Sequence, residues 1–187
     1  MSEGRAPRRR LFFALWPDAA ERRALGDAFG AAIAAAGGRA VPSANLHLTL
    51  EFLGPVEEAA LPALVALGRA LSLPVEAVVL DRLNWWRRAA MLVAAPSVAA
   101  TGLLAAQAQL RQALKGGGFR VDSRPFRPHV TLVRKVDTPP PAGPPAAVAW
   151  SFGEMALVES LSTPSGSCYA PLARWSRGAA HSDFSAL

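Results

Sequence analysis

The chain of 187 residues is long enough for one domain with a real core, or two small lobes, and with 51% hydrophobic residues it is a globular sequence and not a disordered one. Its formal net charge of +6 is carried by arginine, since Lys115 and Lys135 are the only lysines; that balance suits a polyanionic partner such as RNA, although base composition of the coding DNA would also produce it. A single cysteine, Cys168, excludes an internal disulfide and a cysteine-cluster metal site, and no apolar run approaches the roughly 20 residues that span a bilayer.

Residues 1–9 read as a flexible basic leader. Arg8-Arg9-Arg10 followed by the apolar residues 11–16 has the outline of a signal peptide. The run is too short, however, and stops at Pro17-Asp18 with no cleavage site, so a cytoplasmic protein is expected. Residues 11–16 are predicted as a buried strand. Pro17 and Asp18 start a helix on which Leu25, Phe29 and Ile33 recur at helical spacing, ending near Gly37-Gly38. A strand over 45–53 is closed by Gly54-Pro55. Leu61, Leu64, Val65, Gly68 and Leu71 mark a second helix, and Pro74 precedes a loosely alternating strand over 75–83. Trp85-Trp86-Arg87-Arg88 reads as a turn or exposed corner, and 90–95 as a short strand. A third helix carries Leu103, Leu110 and Leu114 and is stopped by Gly116-Gly117-Gly118, which is no phosphate loop because no strand precedes it and no Lys-Ser/Thr follows. A strand after 128, an extended proline-rich loop over 139–145, and strands over 152–161 and 168–175 complete the chain. The small polar tail from 176 is expected to fray.

Two of these strands share a pattern. His47-Leu48-Thr49-Leu50 and His129-Val130-Thr131-Leu132 are both His-apolar-Thr-apolar, in a chain with three histidines. Strand side chains alternate between faces, so His47 and Thr49 share one face and His129 and Thr131 share another, each opposite an aliphatic pair bound for the core. Side by side, the two strands would line one cleft with two imidazoles and two hydroxyls. A lone strand histidine is more often structural, and a strand threonine is ordinarily a good β-former; the matched pair is what points to chemistry. No Asp, Glu or Cys stands at ligand spacing to either histidine, so no metal is expected. Arg134, at the end of the second strand, is either a solvated charge or a phosphate grip. His181 reads as solvated and Cys168 as a small buried residue. Trp85, Trp86 and Phe13 are candidates for stacking on a base, against the plainer reading of core or corner packing.

The tetrads and their flanks, from Asn45 to Gly54 and from Arg124 to Arg134, with Arg10-Leu11-Phe12-Phe13-Ala14-Leu15 and Tyr169-Ala170-Pro171-Leu172-Ala173-Arg174-Trp175, resemble the two-histidine phosphoesterase superfamily. More narrowly they resemble the RNA 2′,3′-cyclic phosphodiesterases, also called 2′-5′ RNA ligases. The resemblance implies an α+β fold, bilobal and pseudo-symmetric, with two antiparallel sheets and outer helices around a central cleft. It is expected as a single domain over 1–187, with a lobe boundary near 95–100 and flexible ends at 1–9 and 176–187. It also implies opening of a 2′,3′-cyclic phosphate at an RNA end to a 2′-phosphate without a metal or other cofactor. The implied partner is RNA with such an end, tRNA fragments being one source, and the protein is expected as a monomer with no membrane partner. Such a reaction needs one proton given to the leaving ribose oxygen and one taken from water, from opposite sides of phosphorus, and imidazole serves either role near neutral pH. Following the family pattern, His47 is the general acid and His129 the general base. Thr49 and Thr131 would donate to phosphoryl oxygens and Arg134 would grip one in bidentate fashion. Reversal with a 5′-hydroxyl would be ATP-independent 2′-5′ ligation. Two other functions fit the same residues: a phosphodiesterase acting on 2′-5′ oligonucleotides or nucleotide cyclic phosphates, and a non-catalytic RNA-binding module.

Overall fold

The computed structural model describes residues 7–74, 76–138, 147–164 and 166–176. The expected proline-rich loop, the tail with His181 and the first six residues of the leader lie outside them. Arg8 and Arg9 already belong to a strand, β1 (Arg8–Leu15), rather than to a flexible leader, because they pair with Glu57 and Val56. Helix α1 (Ala19–Ala35) starts where Pro17-Asp18 predicts. Asp18 accepts from the Glu21 amide at 2.8 Å and Glu21 accepts from the Asp18 amide at 2.8 Å, a capping box that satisfies two otherwise orphaned donors. The helix buries Leu25 and Phe29.

The first tetrad opens β3 (Leu48–Glu57) and the second opens β7 (Val130–Arg134). β3 runs through Gly54-Pro55 instead of stopping there. Gly54 adopts φ +71°, and the register with β1 slips both at Leu53 and at Leu50, giving a doubly bulged strand. Past Leu48 no further β7 pair is made, so Pro55 sits where its missing N–H costs little. The strand expected over 75–83 is two: β4 (Val78–Leu80) forms a small sheet with β8 (Val148–Trp150), and β5 (Arg82–Trp86) joins the large one. Trp85 and Trp86 therefore end a strand, and the corner is Arg87–Ala89, closed by Ala90 at φ +49° before β6 (Met91–Ala95).

With β2 (Arg39–Ala40), β9 (Glu154–Thr163) and β10 (Gly166–Ser176), eight described strands make antiparallel pairs in the order β10-β9-β1-β3-β7-β6-β5, with β2 on β7. One lobe is β10-β9-β1-β3 and the other β7-β6-β5 with β2. They meet at a single pair, Leu48 opposite Val130. The chain thus does not change lobe once near 95–100. It leaves the first lobe after β3 and returns to it in β9, because β9 finds its partner in β1, Leu11 opposite Glu159.

One face of the strands is the core. Leu11, Phe13, Leu15, Leu48, Leu50, Val130 and Leu132 point toward α1, α2 (Leu61–Ala70) and α3 (Thr101–Gly116), which contribute Leu64, Leu103, Leu110 and Leu114. Phe13 is fully buried there against Trp175, so it packs the core. The opposite face carries a small second cluster of Phe12, Ala14, Trp16, Ala156 and Val158, with Tyr169 packed on it. Cys168 is exposed, contrary to expectation; it lies near the tip of the β9–β10 hairpin, opposite the exposed Leu161. Among the described residues no helix is long and apolar enough to cross a membrane.

Candidate active site

The single ladder pair between the lobes positions the site. With Leu48 opposite Val130 in an antiparallel pair, His47 stands across from Thr131 and Thr49 across from His129. The four side chains sit on the non-core face and line one open cleft of about 860 Å³, which Arg134 also lines. All five residues singled out from the sequence therefore gather there.

The two imidazoles are held alike. His47 Nδ1 lies 2.7 Å from the Asn45 carbonyl and His129 Nδ1 lies 2.7 Å from the Arg127 carbonyl. A carbonyl only accepts, so each Nδ1 donates and each Nε2 is the atom free to take or give a proton. Their surroundings differ. His47 is enclosed by Phe12, Trp16 and Tyr169, with ring centres at 5.0, 5.6 and 5.0 Å. Burial among them pushes it down to about 4; the Asn45 carbonyl opposes this, and the positive charges of Arg134 and His129 add to it. His129, with Trp86 at 4.4 Å, is also held below the usual histidine value by burial, and Arg134 works in the same sense against the Arg127 carbonyl.

Arg134 is fixed from behind by Met91 Sδ at 3.5 Å and the Tyr169 hydroxyl at 3.4 Å, and it has no carboxylate partner among the described residues. The Thr49 and Thr131 hydroxyls likewise make no hydrogen bond among them, which leaves both free to donate into the cleft. Among the described residues no group of three His, Cys, Asp or Glu is placed to hold a metal ion.

Sequence reasoning missed the floor of the cleft. Glu51, 3% exposed, faces α3 because of the bulge at Leu50. Its carboxylate accepts from Gln107 Nε2 at 3.0 Å and from the Asp122 amide at 2.7 Å, and pairs with Arg111 Nε at 3.6 Å. Arg111 also reaches the Arg124 carbonyl at 3.3 Å. The segment between α3 and β7, which carries His129, is thus anchored to the strand that follows His47. Trp86 against His129 and Tyr169 between His47 and Arg134 were equally hidden, since a sequence shows no cross-lobe contact. Trp86 was legible only as one of three candidate aromatics, and Tyr169 only within a family-like flank.

Comparison with known proteins agrees with this arrangement. Residues 13–162 match the family model described as the 2′-5′ RNA ligase superfamily. A protein of Escherichia coli (strain K12) named RNA 2′,3′-cyclic phosphodiesterase is 35% identical over 141 residues, 74% of this chain and 79% of the relative. One of the same name from Thermus thermophilus is 32% identical over 189 residues, 92% of each chain. The crystal structure of E. coli LigT in complex with 3′-AMP superposes with a TM-score of 0.80 at 30% identity, covering 92% of this chain and all of that one.

Proposed function

The chain belongs to the 2′-5′ RNA ligase superfamily, and from that premise we propose that it opens 2′,3′-cyclic phosphate ends of RNA to 2′-phosphates by acid–base catalysis between His47 and His129. The observation that carries this is the matched pair of imidazoles, each with Nδ1 tied to a carbonyl and Nε2 left free, each facing the other strand's threonine across one cleft. Water attacks phosphorus and gives its proton to His129 Nε2. The phosphorus–O3′ bond breaks as protonated His47 Nε2 gives a proton to O3′. A phosphomonoester on O2′ and a free 3′-hydroxyl result, and exchange with solvent resets the pair. Thr49 and Thr131 donate to the non-bridging oxygens and the Arg134 guanidinium takes their charge, stabilisation that matters most as charge builds in the transition state. In the free protein His47 is neutral at pH 7; the bound anion offsets Arg134 and lets it hold the proton it must give. The same steps run backwards with a 5′-hydroxyl in place of water give 2′-5′ ligation without ATP.

The test is a synthetic RNA with a 2′,3′-cyclic end, incubated with purified protein and EDTA, with the position of the product phosphate read out. A 2′-phosphate is expected. His47→Ala and His129→Ala each lower kcat by roughly 10²- to 10⁴-fold while the circular dichroism spectrum is retained. Undiminished turnover by the double variant, or a strict need for a divalent ion, overturns the proposal.

A further inference from the structure

The acid–base scheme leaves one row of groups in the cleft unused. Three consecutive arginines open β1. Arg8 pairs with Glu57 at 3.0 Å, and Arg9 with Glu58 at 2.6 Å and Glu159 at 3.2 Å. Arg10 has no carboxylate partner among the described residues. It turns into the cleft and lays its guanidinium 5.0 Å from the centre of the Phe52 ring. Phe52 is 39% exposed and lies 6.4 Å from Phe12 with ring planes 23° apart; Phe12 in turn lies 5.0 Å from the His47 imidazole. An unbroken row of flat groups therefore runs from the catalytic pair to an unpaired cation.

The row depends on an irregularity in β3. Phe52 stands opposite Phe12 because β3 slips its register at Leu50 and again at Leu53. Regular alternation from Leu48 and Leu50 would turn Phe52 toward the helices, where its ring would be buried at a gain in stability. Two bulges flanking one residue re-aim that residue, and bulges concentrate beside functional sites. What they present here is an apolar ring beneath a free guanidinium. The complementary ligand is at once flat and anionic: a nucleobase with its phosphodiester. Phe12 fills the interval between His47 and Phe52. The terminal ribose therefore lies against the imidazole, and the base over Phe52 is the next one.

We infer that Arg10 and Phe52 form a subsite for the nucleotide immediately 5′ of the cyclic end, its base stacked on Phe52 and its linking phosphate on Arg10, so that the substrate is an oligonucleotide end in preference to a cyclic mononucleotide. This rests on the phosphodiesterase reading above. Stacking of this kind tolerates any base, so the subsite selects for the presence of a second nucleotide and little for its identity.

The experiment compares kcat/KM for a nucleoside 2′,3′-cyclic phosphate with that for a dinucleotide bearing the same end. The dinucleotide is expected to be better by roughly 5- to 100-fold. Phe52→Ala and Arg10→Gln should shrink that advantage to about 3-fold or less and leave mononucleotide turnover within about 2-fold. Phe52→Leu, which keeps the bulk but removes the π-face, should behave as the alanine variant does. Arg10→Gln should also flatten the dependence of log KM on log salt by about 0.7, the share of one phosphate on a single strand. Equal efficiency with both substrates overturns the subsite, and so do variants that depress both substrates alike. Absence of turnover on either substrate overturns the phosphodiesterase reading and the subsite with it, whereas mononucleotide turnover with no dinucleotide advantage removes the subsite alone.

Discussion

An imidazole whose Nδ1 is committed to a carbonyl has one usable nitrogen, and the pKa of that nitrogen decides when it works. Both histidines are held low in the free protein, His47 most, chiefly by burial. The productive form has a proton on His47 and none on His129, and in free enzyme at pH 7 it is a minor species. Lowering the pH toward the depressed values populates it until His129 also takes a proton. In the complex, the phosphate anion raises both values, so the productive form persists to higher pH. Two bell-shaped profiles are therefore expected, with kcat/KM, which reports free enzyme, peaking at lower pH than kcat, which reports the complex. Coincident optima would show that the bound anion does not move the pair. The four tetrad residues were legible because they precede or begin the strands, where alternation is intact. Phe52 and Glu51 were not, because the bulge at Leu50 lies between them and the tetrad and exchanges their faces.

At the scale of elements, the sequence marked helices better than sheet partners. Asp18 with Glu21, and the Leu25 and Phe29 stripe, are local signals, and α1 begins where they place it. Whether residues 78–80 pair with 148–150 or join the large sheet is decided by contacts some 70 positions apart, which no window of sequence contains. The same holds for the tie between β3 and α3. Glu51 carries a buried charge matched by Arg111, so Glu51→Gln leaves a guanidinium facing a neutral partner in a desolvated place. A loss of about 2–4 kcal/mol is expected from urea titration. Replacing both partners removes the unpaired charge, so Glu51→Gln combined with Arg111→Met should be more stable than Glu51→Gln alone. Simple additivity of the two single losses would mean that the pair is not coupled.

At the scale of the whole molecule, two lobes joined by one ladder pair keep their catalytic face open, and an open face lined by cations carries a cost in acid. The pseudo-symmetry was legible from the repeated tetrad; the return of the chain to its first lobe was not, because β9 carries no mark of β1 as its partner. The acid cost follows from the histidines. A histidine with a folded value below its unfolded value of about 6.5 binds fewer protons folded than unfolded, so stability rises with pH across that interval and falls as pH drops through it. For His47 the window runs from about 6.5 to about 4, with His129 adding in the same sense. Asp122, held at about 2 first by the side chain and then by the backbone of Arg124, loses its contribution only below this window. Glu21, pushed up by burial, acts in the opposite sense near the lower end. The histidines therefore dominate between pH 7.5 and 5, and the expected loss is of order 1–3 kcal/mol, or about 3–10 °C in Tm for a chain of this size. His47→Asn should flatten the dependence, and a phosphate monoester such as the 2′-phosphorylated product should raise Tm more at pH 5 than at 7.5, since it favours the protonated pair. Equal Tm values for the parent protein at the two pH values would mean that neither imidazole is desolvated, and the contrast between the kcat and kcat/KM optima would then lose its cause.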